Sequence, residues 1–442
     1  MQIHTSYKVE RVIVLGFLLV ILAGAFLLWL SNNFVHDIPM TPVDALFIAT
    51  SAVCVTGLSV IDVSKETGIV SQLVLLSLIQ IGGLGIMTGM MFMSLVVSRR
   101  VGIKGRIFFL GGFGVDGIQG AVKLFFTVIK FTFGLEAIGA LIFIAGFLLD
   151  GESLGRAAYL AIFHSISSFC NAGFSPCPGG LQGYATTLIV PGAAMALIIL
   201  GGIGFPVFAE CAARWKDRSF RLSAYAKLVV GMTAGLVFGG ALLLLLSDWN
   251  GALRDYPVWA KVWNALFMSV TTRTAGYDTV APGTFSGLGQ AVMVVLMLIG
   301  ASPASTGGGV KTTTFGVLAV AVWSELHGRG GSTFMGRSIS PSTERRALSV
   351  VAVYLMTMLA GTVLLTFTEK MPYSALIFEA ASALATTGLS VGITPELSTP
   401  GKLIITTLMF WGRVGLYTFL STLIAPDGGS EIRYPETHVP IG

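Results

Sequence analysis

Of the 442 residues, 54% are apolar and only 11% carry charge, less than half the charged share of an ordinary soluble chain. A mean hydropathy of +0.82 together with 55 glycines excludes disorder, a coiled coil and a typical water-soluble enzyme, and indicates a multi-spanning membrane protein with close helix contacts. The net charge of +5 comes without a basic cluster interleaved with aromatics, so a nucleic-acid partner is not expected.

In chain order, uncharged or nearly uncharged stretches long enough to cross a bilayer run over residues 12–30, 71–98, 124–149, 186–209, 228–247, 286–324, 347–368 and 403–424. The sixth is interrupted near Pro303 and the last by Arg413, and together they predict eight full spans. The first is too long for the apolar region of a signal peptide and reads as a retained helix. With loops placed alternately on the two sides, seventeen Lys and Arg fall on the side of the N-terminus, among them Arg99, Arg100, Lys104, Arg106, Arg214, Lys216, Arg218, Arg221, Arg345 and Arg346. Six fall on the other side, which also carries eleven acids such as Asp37, Asp62, Glu152, Asp255 and Glu396. Basic loops stay in the cytosol, so both termini are expected to be cytosolic, in a multi-pass protein of the bacterial cytoplasmic (inner) membrane. Cys54, Cys170, Cys177 and Cys211 show no CxxC or Cys/His spacing and read as buried thiols.

Between paired spans lie four semi-apolar stretches, 41–53, 156–169, 258–272 and 373–384, too short to cross and therefore expected to be re-entrant helices. Pro42 and Pro372 stand at or near first turns, where proline is tolerated. Each stretch runs into a similar segment: Cys54, Val55, Thr56, Gly57, Leu58, Ser59; Cys170, Asn171, Ala172, Gly173, Phe174, Ser175; Arg273, Thr274, Ala275, Gly276, Tyr277, Asp278; and Ala385, Thr386, Thr387, Gly388, Leu389, Ser390. The near-equal spacing of the four glycines marks an internal repeat. The expected fold is an all-α polytopic membrane protein: four tandem span, re-entrant helix, filter strand, span repeats forming a pseudo-tetrameric pore. The repeats are assigned to 1–103, 104–220, 221–340 and 341–442, the last including a cytosolic C-terminal tail.

Irregular backbone at membrane depth is tolerated only where it is buried or lines a watery path, and its carbonyls can replace the hydration shell of a cation. Glycine lets such a strand adopt backbone angles other residues avoid. No carboxylate directly precedes any of the four glycines, so a ring binding monovalent cations through backbone carbonyls fits better than an acidic divalent site. The ring is assigned to Cys54, Val55, Thr56, Gly57, Cys170, Asn171, Ala172, Gly173, Thr274, Ala275, Gly276, Thr386, Thr387 and Gly388.

These segments, together with residues 301–312 and 412–416, resemble the Ktr/Trk/HKT superfamily of potassium transporters, most nearly the membrane component of the bacterial Ktr systems, over essentially the whole chain. A tail ending at 434–442 and the lack of further N-terminal spans point to Ktr over the longer Trk chains. The resemblance implies K+ uptake, with K+ as the transported ion, no cofactor in this chain, and Na+ left open as an activator. It implies a homodimer joined by a cytosolic ring of Rossmann-like, nucleotide-binding regulatory subunits, the lipid bilayer being the remaining partner.

Residues 300–310 break the sixth span with Pro303 and with Gly307, Gly308 and Gly309, leaving backbone polar groups unpaired at membrane depth. Lys311 and Thr312 follow, but Val310 stands where a phosphate-binding P-loop requires glycine, and no strand precedes it. In the resembled family this break is a gate beneath the filter, and Pro303, Gly307, Gly308, Gly309, Lys311 and Arg413 are assigned to it. For Arg413 two readings stand: a structural arginine paired with an acid such as Glu379 or capping loose carbonyls, or a cation in the path that holds the loop shut.

Elsewhere, Arg273 is expected to anchor the third filter strand from behind, Glu379 to brace the fourth by hydrogen bonds, and His164 to be a packed, hydrogen-bonded residue. Lys130 and Glu136 are expected to pair or to contact neighbours. The glycines Gly82, Gly83 and Gly85 are read as helix packing. The five histidines form no catalytic spacing, so the chain is not expected to be an enzyme. An ion-coupled alternating-access cation transporter is the alternative, although four repeats in one orientation argue for a channel-like pore.

Overall fold

The computed structural model describes residues 3–98, 117–328 and 330–415. Arg99, Arg100, Lys104, Arg106, the repeat boundary at 103/104 and the tail at 434–442 lie outside the described residues.

Four units follow one another, each built from a long helix, a short buried helix and a second helix, which is long in the first unit and shorter or broken in the other three. They are α1 (Ile3–Leu30), α2 (Pro42–Val53) and α3 (Ile69–Ser98); α4 (Gly117–Leu149), α5 (Leu154–Cys170) and α6 (Ile189–Gly202) continued by α7 (Phe205–Lys216); α8 (Ala224–Asp248), α9 (Val258–Thr271) and α10 (Gly287–Leu298) continued by α11 (Thr312–Leu326); and α12 (Pro341–Thr368), α13 (Tyr373–Ala385) and α14 (Thr399–Val414). The one departure from an all-helical fold among the described residues is a two-stranded hairpin, β1 (Thr333–Phe334) with β2 (Arg337–Ser338).

By length and composition, four described helices can cross a membrane, within Val14–Val35, Phe126–Leu149, Ala224–Asp248 and Pro341–Thr368, or five if the bent pair α6–α7 counts as one. Eight were expected from the sequence. Helix α3 runs unbroken from Ile69 to Ser98, whereas α6 turns by 105° into α7 and α10 stops at the 300–310 break. Hydropathy averages over these breaks, whereas glycine and proline interrupt the hydrogen-bond ladder itself.

The four short helices are the molecular core: Phe47, Phe163, Phe267 and Phe378 are wholly buried, one on each. Each packs against the long helix of its own unit, α2 on α1, α5 on α4, α9 on α8 and α13 on α12. Each also packs against the second helix of the preceding unit: α5 on α3, α9 on α6, α13 on α10, and α2 on α14. The last pairing joins the fourth unit to the first and closes a ring.

Polar groups fasten the C-terminal ends of three long helices to the helices that follow. Asn32 accepts from Ser71 Oγ at 3.0 Å, Asp248 from Ser286 N at 2.7 Å and Ser286 Oγ at 3.0 Å, and Glu369 from Ser398 N at 3.3 Å and Ser398 Oγ. Ser286 and Ser398 are the N-caps of α10 and α14, so the end of each long helix supplies an acceptor where the next span begins.

Candidate functional site

The C-terminal ends of the four short helices deliver their chains to one place. A Cβ built on Gly57 would lie 2.5 Å from Ala172 O, one on Gly173 2.5 Å from Ala275 O, one on Gly276 2.5 Å from Thr387 O, and one on Gly388 against Thr56 O. The contacts run in cyclic order and return to their start, so the four glycines form a closed ring with the preceding carbonyls directed among them.

Two features of the backbone shape this ring. Gly57, Gly173, Gly276 and Gly388 all have positive φ, between 69° and 97°. Two residues before each glycine stand Val55, Asn171, Thr274 and Thr386, which also have positive φ, at 54°, 61°, 71° and 51°. These are four of only seven non-glycine residues in that region among those described. Positive φ at every second residue departs from the backbone of a regular strand, in which successive carbonyls alternate. The strain costs about 1 to 3 kcal/mol per residue and persists only where the surroundings enforce it, least readily at the β-branched Val55, Thr274 and Thr386.

The enforcing groups are wholly buried hydroxyls that sequence reasoning missed: Ser51, Ser167, Thr271 and Ser382. Ser51 Oγ accepts from Gly57 N at 3.0 Å and Ser382 Oγ from Gly388 N at 3.1 Å. Ser167 Oγ donates to Phe174 O at 3.0 Å and Thr271 Oγ1 to Tyr277 O at 2.6 Å. A hydroxyl five or six residues before each repeat glycine was the available signal. Thr56 Oγ1, Asn171 Oδ1, Thr386 Oγ1 and Thr387 Oγ1 are buried without a hydrogen-bond partner among the described residues.

A loop, residues 299–311, lies directly below. A Cβ on Gly307 would strike Thr274 Oγ1 and one on Gly308 would strike Thr386 Oγ1, so the two glycines sit against the adjacent third and fourth strands of the ring. The loop is tied to three units. Ser302 N and Thr306 N donate to Gly202 O and Gly201 O at 3.0 and 3.2 Å, and Phe205 N donates to Ala304 O at 3.2 Å. Thr306 Oγ1 donates to Phe169 O at 3.0 Å, and Lys311 Nζ bonds back to Gly307 O at 2.7 Å. Arg413 Nη1 donates to Thr306 O at 2.5 Å and Nη2 to Gly82 O at 2.7 Å, bridging the loop to α3. Pro303 and Gly309 lie on the loop's partly exposed positions, while 304–308 are buried.

The model of the TrkH family, described as a cation transport protein, matches residues 9–430. The chain belongs to that family. It is 35% identical to the Ktr system potassium uptake protein B of Bacillus subtilis, covering 97% of this chain and 96% of that one. It is 33% identical to the potassium/sodium uptake protein NtpJ of Enterococcus hirae, over 98% and 97% of the two chains. In fold it is similar to the potassium transporter TrkH from Vibrio parahaemolyticus, with a TM-score of 0.74 at 20% identity, covering 94% of this chain and 84% of that one.

In this TrkH-family chain the remaining assigned residues take definite places. Cys54 and Cys170 are wholly buried, one position before Val55 and Asn171. Arg273 is buried, and its Nε lacks a partner. Arg413 has no carboxylate beside it among the described residues. Of the two structural roles considered for it, capping carbonyls is the one present, and Glu379 is engaged elsewhere: its Oε1 accepts from Ser390 Oγ and Thr394 Oγ1, each at 2.5 Å. Lys130 and Glu136 do not pair. Lys130 is exposed, and Glu136 accepts from Gln80 Nε2 at 3.1 Å, because helical spacing turns the two side chains apart.

His164 holds the second strand as Glu379 holds the fourth. Its Nδ1 donates to Leu160 O at 2.7 Å and its Nε2 therefore accepts from Ser175 Oγ at 2.9 Å. His164 and Glu379 stand nine residues before their ring glycines, and Ser175 and Ser390 two after. At the same register the other two units carry Ile48 and Phe267. Polar braces thus alternate with apolar packing around the ring, a pattern visible only once the four repeats are superposed in register.

Gly82, which the sequence marks as a packing glycine, has counterparts in Gly201 and Gly412 that sequence reasoning missed. A side chain at each would strike a carbonyl at the end of a short helix, Val53 O, Phe169 O and Leu384 O respectively. They let the second helices close on the ring from behind, and their recurrence some 24 to 28 residues after Gly57, Gly173 and Gly388 was legible in the sequence.

Proposed function

We propose that this chain carries K+ across the bacterial inner membrane along the axis of the glycine ring, with the carbonyls before Gly57, Gly173, Gly276 and Gly388 replacing the ion's hydration shell and the 299–311 loop acting as the gate. The observation that carries the reading is the cyclic approach of the four glycines, each closing on the carbonyl of the next strand. Potassium uptake by the Bacillus subtilis relative, and potassium/sodium uptake by NtpJ, are in line with it. The buried loop contacts to Thr274 and Thr386 and the bridge from Arg413 to Thr306 support a closed gate. The reading includes both termini in the cytosol, a homodimer of this chain, and a cytosolic ring of Rossmann-like, nucleotide-binding subunits.

The test is uptake by a K+-deficient strain and by proteoliposomes. Gly57→Ser, Gly173→Ser, Gly276→Ser and Gly388→Ser each add a side chain at positive φ and against a ring carbonyl, so each should weaken K+ uptake or lower K+/Na+ discrimination. Wild-type kinetics and selectivity in all four variants would remove the ring from the transport path.

A further inference from the structure

We propose that the elbow between α7 and α8 is a binding site for the phosphate of an anionic phospholipid. The proposal rests on the reading that this end of α8 faces the cytosol. Helix α6 ends at Gly202 and α7 departs from it at 105°, so α7 leaves the span direction and runs toward the plane of the membrane surface. Its first turn is anchored by buried Phe205 and Val207, while Trp215 near its end is 89% exposed. From there the chain turns back through 217–223 into α8, leaving an open cleft of about 520 Å3 lined by Arg214, Arg218, Phe220, Arg221, Leu222 and Lys227, with Ser219.

The charge here is unbalanced in a specific way. Between 210 and 227 stand five cations and two carboxylates. Both carboxylates are already occupied. Asp217 accepts from Ser219 N at 2.9 Å and Ser219 Oγ at 2.7 Å, bonds that hold its carboxyl below the usual range. Glu210 accepts from Ser223 N and Ser223 Oγ, both at 2.8 Å, completing the start of α8. Arg214, Arg218, Arg221 and Lys227 make no ion pair or side-chain hydrogen bond among the described residues, although they share one cleft. The loop is therefore folded by its acids in a way that leaves its guanidinium groups free, and a tetrahedral anion accepting several N–H bonds satisfies them.

A lipid fits better than a soluble phosphate because the cleft is also apolar on one side. Phe220 is 40% exposed and Leu222 half-buried beside the cations, and Trp215 extends from the same turn. Exposed aromatics next to arginines at the end of a span are the composition of the headgroup level, where rings meet the upper acyl chain and cations meet phosphate.

Purified full-length protein in detergent, titrated with phosphatidylglycerol or phosphatidylcholine and read by native mass spectrometry, should retain the anionic lipid and release the zwitterionic one. The double variant Arg218→Gln, Arg221→Gln should lose phosphatidylglycerol by tenfold or more, with Lys227→Gln losing less, while both keep the wild-type Tm in phosphatidylcholine. Equal retention of the two lipids, or undiminished phosphatidylglycerol binding by both variants, would overturn the proposal. Displacement of the lipid by millimolar inorganic phosphate would make this a free-phosphate site, and loss of a cytosolic protein partner with lipid retention intact would make it a protein dock; either result refutes the lipid assignment. Because lipid retention is read in detergent, it is independent of which ion permeates and of the ring glycines.

Discussion

The side chains behind the ring do as much as the glycines within it. Glu379 is wholly buried, and its Oε1 is the shared acceptor of Ser390 and Thr394 on the strand leaving Gly388. Removing it takes the carboxylate acceptor from the buried Thr394 hydroxyl and the part-buried Ser390 hydroxyl, at about 1 to 3 kcal/mol. Glu379→Ala is therefore expected to lower the Tm and to relax K+/Na+ discrimination, whereas Glu379→Gln keeps an acceptor oxygen and should retain most of both. Thermal melting of the purified variants alongside 86Rb+ and 22Na+ uptake reads the two effects. If the alanine variant melts lower yet discriminates like wild type, Glu379 stabilises the fold without shaping the ring. Val55 makes a related point at the backbone. A β-branched residue at φ 54° is there because Ser51 and the packed helix ends hold it, since its own preference lies elsewhere.

At the scale of elements, the 299–311 loop is held by the break in α6–α7, by its own Lys311 and by Arg413. The arginine is the one tie that comes from the fourth unit and reaches across to the first. In the proposed transport reading its positive charge stands beside the ion path. At an effective dielectric near 20, a unit charge about 6 Å from a permeating ion is worth on the order of 3 kcal/mol, or roughly a hundredfold in rate before screening by pore water. Its partners are carbonyls, so its loss leaves no buried carboxylate unpaired, and the usual penalty for breaking a buried ion pair does not arise. Arg413→Ala should accordingly stay monodisperse in detergent and conduct faster than wild type in liposomes holding this chain alone. An aggregated or inactive Arg413→Ala beside a normal Arg413→Lys would assign the residue to structure.

At the scale of the molecule, closure of the ring depends on a contact between the first unit and the last. Helix α14 packs on α2, and Lys402 Nζ meets Asp44 Oδ1 at 2.6 Å, with the side chains only 17% and 13% exposed. Asp44 also sits in the first turn of α2, where Thr41 caps it and a negative charge suits the helix end. A half-buried pair of this kind couples by about 0.5 to 3 kcal/mol. Lys402→Asp and Asp44→Lys should each lower the Tm, and the reversed pair Asp44→Lys with Lys402→Asp should recover part of the summed loss. Additive effects in that double-mutant cycle would leave closure to the apolar contacts of α14 and α2.

The sequence by itself determined the membrane solvent, the four long helices, the four short buried ones and the segments that meet at the axis. Each of these is a local property: hydropathy fixes what lies in lipid, length separates a span from a re-entrant helix, and a recurring glycine marks where backbone must take positive φ. The breaks in the second helices were only partly legible, because glycine and proline at 300–310 stand out in the sequence while the 105° turn at Ile203 and Gly204 does not. What only the tertiary structure decided is who meets whom. The cyclic order of the ring, the serines that hold its strands, the choice of carbonyls over Glu379 as the partners of Arg413, and the pairing of Asp44 with Lys402 all join residues far apart in the chain. Such contacts are selected by the packing of whole helices, and no periodicity in one stretch of sequence records the stretch that will lie against it.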